Sequence, residues 1–174
     1  MELHFNPKYN TNFSNYIYEQ TTGIFTNTIN NYEDCRRQIL GTHKQHCIGI
    51  KPEHVQTSLE QSDAVIMDNN SNGFIAFKLL EESQTIYIDL ICANKGYGAK
   101  LMDTLEILAE KSSFTEIKLK SVTNAVGFYL KNGFKCDKLC SMKKTVANAT
   151  AYAGGRKKRK SNKKRQTNKT RRYS

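Results

Sequence analysis

Tryptophan is absent from this 174-residue chain, and proline occurs only twice. No apolar run near the N-terminus is long enough for a membrane span or a secretion signal. The five cysteines (Cys35, Cys47, Cys92, Cys136 and Cys140) form an odd, irregularly spaced set. That pattern argues against a disulfide framework and for free thiols in a reducing compartment, so an intracellular site, cytoplasm or nucleus, is expected. Cys35, His43, His46 and Cys47 do not have the spacing of a known zinc site, and no metal is expected. Cys136 and Cys140 read as core thiols.

Acidic residues are missing from one region only. Residues 156–174 carry eleven of the 27 basic residues and no acid, which leaves sixteen bases against sixteen acids over residues 1–155. The formal charge of +11 therefore belongs to a tail, and the remainder is neutral. Such a tail cannot bury apolar surface and is expected to be disordered when free. It reads as a sequence-independent binder of nucleic acid or another polyanion, as a nuclear address, or as a solvated extension. No aromatic interleaving supports base stacking, since Tyr173 stands alone there. Residues 147–155 read as a flexible linker, and residues 1–146 as the folded domain, clearest from Asp63 onward.

Within the domain, residues 1–30 show no clean period. Tyr32, Cys35 and Ile39 recur at helical spacing over residues 31–43, and residues 55–62 are ambiguous. Asp63–Met67 and Phe74–Leu80 flank an Asn-rich turn ending in Asn72-Gly73, which makes a hairpin. Thr85–Cys92 adds a third strand. Leu101, Met102, Leu105, Leu108 and Ala109 form one stripe of a following helix. Glu116–Lys120 alternates as a strand. A short helix from about Asn124 to Lys131 ends at Asn132-Gly133, and Phe134–Thr145 reads as a last strand. The fold class is mixed α/β (α+β): an antiparallel meander followed by helix, strand, helix and strand.

Gly96-Tyr97-Gly98 lies between the third strand and the long helix. A helix N-terminus presents unpaired N–H groups and partial positive charge, and glycines admit an anion close to the backbone. Lys95 adds a charge. Taken alone, the loop reads equally well as an anion site or as an ordinary strand–helix turn. The dinucleotide-binding fingerprint lacks its third glycine, and no Gly-Lys-Ser/Thr of a nucleoside-triphosphate loop is present.

Some thirty residues on comes Ala125-Val126-Gly127-Phe128-Tyr129-Leu130-Lys131-Asn132-Gly133-Phe134. This helix with its Phe-Tyr pair, followed by Gly-Phe opening a strand and preceded by the glycine pair, resembles the GCN5-related N-acetyltransferases, with a mixed-sheet fold. The likeness runs from about Asp63 to Lys143 and is closest from Thr85 to Phe134. Short-loop forms with basic tails are also similar to members from large DNA viruses. The resemblance implies acetyl-CoA as co-substrate and acetyl transfer to an amine of a protein, peptide or small molecule. It implies that Asn94, Lys95, Gly96, Tyr97, Gly98 and Ala99 cradle the pyrophosphate, and that backbone groups of Leu90, Ile91 and Cys92 meet the pantetheine arm. Ala93 departs from the family's usual Gln or Arg, and Val122 from its usual Asn. A catalytically weak binding module held on nucleic acid by its tail is the alternative.

By the same resemblance Tyr129 is the acid that protonates the departing thiolate; the other reading is an aromatic anchor of its helix. Asp89 interrupts the apolar strand Ile86–Ile91, and an unpaired buried carboxylate is costly. Tyr87, Asp89 and Ile91 are expected on one face, looking into the cleft, with Asp89 as general base. Asp89 also fits a structural ion pair or a solvent-facing position.

Overall fold

A computed structural model describes residues 1–9, 11–26, 31–137 and 141–147. The basic tail and most of the linker lie outside the described residues. Seven strands form one sheet in the order β1-β2-β3-β4-β5-β7-β6. The strands are β1 (Glu2–Phe5), β2 (Ala64–Met67), β3 (Gly73–Leu80), β4 (Thr85–Ala93), β5 (Glu116–Lys120), β6 (Lys135–Cys136) and β7 (Ser141–Thr145). The helices are α1 (Thr11–Gln20), α2 (Tyr32–His46), α3 (Pro52–Gln61), α4 (Tyr97–Lys111) and α5 (Val126–Lys131), the last preceded by a 3-10 turn over Thr123–Ala125.

The expected meander is present, and β1 extends it by pairing antiparallel with β2, Leu3 opposite Ile66. β4 and β5 are parallel, and α4 is the crossover that such a pair needs. The single last strand expected over Phe134–Thr145 is instead a hairpin, β6 with β7, and β7 inserts between β6 and β5. The Asp137 N–H donates to the Ser141 carbonyl at 2.9 Å, which continues the pairing one residue beyond β6.

Both faces of the central sheet are covered. Leu101, Met102, Leu105, Leu108 and Ala109 of α4 pack with Ile17, Ile75, Phe77, Ile86, Ile88 and Ile117 on one side. Tyr32, Cys35 and Ile39 of α2, with Val55 and Leu59 of α3, cover Val65, Phe74, Ala76 and Leu90 on the other. This explains why β2 and β3 read as continuous apolar runs, with all of Ala64–Met67 buried. β5 is covered on one face only, and its Glu-Ile-Lys-Leu-Lys alternation follows from that.

β4 does not keep one side-chain alternation. Phe77 pairs with Ile88, but Ala76 pairs with Leu90, so Asp89 is an extra residue in a β-bulge. Ile86 and Ile88 face α4; beyond the bulge Leu90 and Cys92 face α2 and α3, while Ile91 and Ala93 pack on the α4 side. The expectation that Tyr87, Asp89 and Ile91 share one face is thereby corrected. The extra residue turns Ile91 to the opposite side.

Free thiols are likewise not the rule. Cys47, just after α2, forms a disulfide with Cys92 in β4, and both are buried. Of the remaining cysteines, Cys35 is a buried free thiol and Cys136 is exposed rather than in the core; Cys140 lies outside the described residues. The bond closes a loop of 45 residues. Disrupting it, by a dithiol or by Cys47→Ala, is expected to lower unfolding free energy by about 2–4 kcal/mol in denaturant titration. Denatured, unreduced protein should show two fewer reactive thiols than reduced protein.

Candidate active site

β4 and β5 pair only from Thr85–Glu116 to Ile88–Leu119. The bulge at Asp89 begins one residue later, and the bend and extra twist of a bulge carry β4 away from its neighbour. The strands splay, and a cavity of about 770 Å³ opens between them. One wall is Ile88, Asp89, Leu90, Ile91 and Ala93. The opposite wall is Leu119, Val122, Ala125, Phe128 and Tyr129. The outer rim comes from the segment between α2 and α3, with Ile48, Ile50, Lys51 and His54.

Gly98, in the first turn of α4, also lines the cavity. A Cβ on Gly98 would lie 3.2 Å from the Phe128 ring, so the glycine lets α5 pack against the start of α4. Gly96 serves differently. It is the N-cap of α4 with φ +89°, a left-handed conformation that suits glycine, and no neighbour crowds it. The first turn of α4 has no acidic residue, and no side chain caps it. By helix geometry its leading N–H groups are unpaired within the helix. Lys95 and Lys100 are exposed beside it, with Lys100 over the Tyr97 ring.

Asn94 holds the loop in place. Its N–H donates to the Asn72 carbonyl at 2.8 Å, its carbonyl accepts from the Tyr97 N–H, and its Oδ1 lies 3.1 Å from His46 Nδ1. Of the residues expected in the cofactor cradle, Leu90, Ile91 and Gly98 line the cavity, as does Ala93. Asn94, Lys95, Gly96, Tyr97 and Ala99 sit at its end without being wall residues, and the Cys92 side chain points to the other face of the sheet, bonded to Cys47.

Tyr129 is 6 % exposed, and its ring packs edge-on against Phe128 and Phe134. Burial pushes its phenol up to about 12. The side chain is thus an anchor and a cavity residue at once. Asp89 accepts a hydrogen bond from Ser62 Oγ at 3.0 Å and lies 3.6 Å from Lys78 Nζ. Burial raises its carboxyl above the ordinary carboxylate range, with Lys78 and Ser62 opposing the rise. His54 and Lys51 on the rim were not among the residues expected from sequence. They follow Cys47, and the disulfide together with Ile50, Val55 and Leu59 packed over Leu90 holds this segment against β4.

Comparison with known proteins accords with this geometry. Residues 25–147 match the family model described as an acetyltransferase (GNAT) domain. The chain belongs to this acetyltransferase family. Its fold is similar to that of Tetrahymena GCN5, with a TM-score of 0.54 at 14 % identity over 66 % of this chain and 88 % of that one. Ard1 from Thermoplasma volcanium aligns with a TM-score of 0.50 at 18 % identity, covering 65 % and 94 %. A GNAT family N-acetyltransferase, YhbS, from Escherichia coli in complex with CoA gives 0.50 at 12 %, covering 64 % and 76 %. No curated protein matches the chain significantly. Among the described residues no helix is long and apolar enough to cross a membrane.

The two glycines separate in their expected effects. Gly96→Ala should cost about 1 kcal/mol of stability through backbone strain alone. Gly98→Ala must displace the Phe128 ring, and thermal unfolding with near-ultraviolet circular dichroism should show altered aromatic packing only for this second variant.

Proposed function

We propose that the chain transfers an acetyl group from acetyl-CoA to an amine. The observation that carries this is the cavity in the β4–β5 splay, which runs from the glycine-bracketed start of α4 to the Tyr129 side chain. The pyrophosphate would meet the N–H groups of Gly98 and Ala99 and the charges of Lys95 and Lys100. The pantetheine arm would lie along the unpaired edge of β4 at Leu90, Ile91 and Cys92, where backbone groups freed by the splay await a partner. Paired in this way, the arm would bring its thioester carbonyl to the same backbone groups, which would polarise it.

Attack by the amine requires a free lone pair, and Asp89 is the carboxylate on the cavity wall that would receive the proton. Tyr129 would supply a hydrogen bond and then a proton to the departing sulfur. With its phenol pushed up to about 12, it stays protonated throughout the neutral range. A thiol titrates near about 8.5 in water, so outright transfer from such a phenol is uphill there. The cavity's apolar walls desolvate the sulfur as they do the phenol, and so raise both in parallel.

Isothermal calorimetry with acetyl-CoA tests the reading directly. Binding with a Kd in the micromolar range is expected, and none at millimolar ligand would defeat it. Tyr129→Phe should bind acetyl-CoA equally well but turn over about 10–100-fold more slowly at saturating amine; unchanged turnover removes the acid role.

The basic residues 156–174 support a second, separable reading, in which the tail holds the enzyme on nucleic acid or another polyanion by counterion release. A chain truncated after Gly155 should lose salt-dependent affinity for duplex DNA while keeping its acetyl-CoA affinity. Equal DNA binding by both chains would rule the tail out.

A further inference from the structure

Ser62 closes α3 and is 1 % exposed. Its backbone is held at both ends: the N–H donates to the Ser58 carbonyl at 3.0 Å, and its carbonyl accepts from Asn6 Nδ2 at 3.1 Å. Only the hydroxyl is free to turn. It lies 2.7 Å from the Ser58 carbonyl oxygen and 3.0 Å from Asp89 Oδ2. A hydroxyl has one proton and cannot donate to both. The Ser58 carbonyl keeps a partner in either case, because the Ser62 N–H already reaches it. Releasing the carbonyl therefore leaves nothing orphaned, and the hydroxyl proton can follow the charge on Asp89.

We infer that Ser62 is a positioning residue whose hydroxyl switches partner with the protonation state of Asp89. This rests on the reading of Asp89 as the base. With Asp89 ionised, Ser62 O–H donates to Oδ2 and stabilises the carboxylate. As the acceptor's ammonium N–H bond breaks and an Asp89 O–H bond forms, the amine is left neutral with its lone pair. The Ser62 proton then turns to the Ser58 carbonyl, and the Ser62 oxygen accepts from the new carboxylic acid. One rotor thus satisfies both states without moving the backbone.

Other charged groups act on Asp89 as well. Lys78 on β3 lies on its Oδ1 side and favours ionisation. Asp63, next to Ser62, is a second carboxyl raised by burial and in part by the Asp89 charge, so the two titrations are coupled. His54, Lys51, Lys120 and Tyr129 face the cavity from α3, the segment before it, β5 and α5. None of these is changed by substitution at Ser62, so the hydroxyl's share can be isolated.

The test is a carbon-13 titration of the Asp89 carboxyl in the full chain, assigned with Asp89→Asn, together with kcat/KM against pH for an amine found in a primary-amine panel. Ser62→Ala is expected to raise the Asp89 midpoint by about one pH unit, because the charge-assisted hydrogen bond lost from the carboxylate is stronger than the neutral one lost from the acid. Ser62→Cys, of similar shape but a weaker donor, should raise it by less and guards against a folding defect in the alanine variant. The acidic limb of kcat/KM should move upward with the midpoint. An Asp89 midpoint unmoved in both variants overturns the role of Ser62 and leaves the base intact. A raised midpoint with an unmoved acidic limb overturns Asp89 as the base, and the hydrogen bond is then structural only.

Discussion

One extra residue in one strand organises this domain. Had β4 kept regular alternation beyond Ile88, it would have continued beside β5, and the sheet would have closed over the space that is now a cavity. The bulge at Asp89 achieves three things together. It ends the β4–β5 ladder, it reverses the sidedness of Leu90, Ile91 and Cys92, and it sets a carboxylate at the opening. A bulge has a cost, because its backbone groups leave the ladder, and here that cost coincides with a place where unpaired groups can be used. The hydrogen bonds missing at the splay are the ones an extended ligand can supply.

The elements around the splay are each held by ordinary forces. α4 is fixed by its apolar stripe, and its start by the Asn94 bonds to Asn72 and Tyr97. α5 is too short to be stable alone and relies on Phe128 against Gly98 and on Tyr129 against Phe134. Lys144 of β7 reaches the carbonyl of Asn132 at the end of α5 and the Glu106 carboxylate on α4, which ties the two helices to the inserted strand. The position of the Tyr129 hydroxyl is therefore a product of packing on three sides.

Much of this was legible in the sequence because it was written in periodicity. The hairpin from Ala64 to Leu80, the α4 stripe and the alternation of β5 each cover enough residues to show a pattern. β1 and α1 were not legible: Leu3 and Phe5 are too short an alternation, and α1 buries Ile17 beside Ser14 rather than a full apolar stripe. Between β6 and β7 the sequence has neither glycine nor proline, so Phe134–Thr145 carries no break in its pattern. The bulge changes no composition and left one trace, a carboxylate inside an apolar run. That trace pointed to Asp89 but not to the reversal beyond it. The Cys47–Cys92 pairing depends on the sheet bringing positions 45 residues apart together, which spacing alone does not encode.

That pairing has a mechanical meaning. Ile48 to Lys51, on the cavity rim, begin one residue after Cys47, and the glycine loop begins two residues after Cys92. A covalent rivet thus joins the rim of the cleft to the root of the loop at its end. The rim is therefore tied to the β4 wall and must travel with it, so any change in the width of the cleft falls to the opposite wall, where β5 and α5 carry Leu119, Val122 and Phe128.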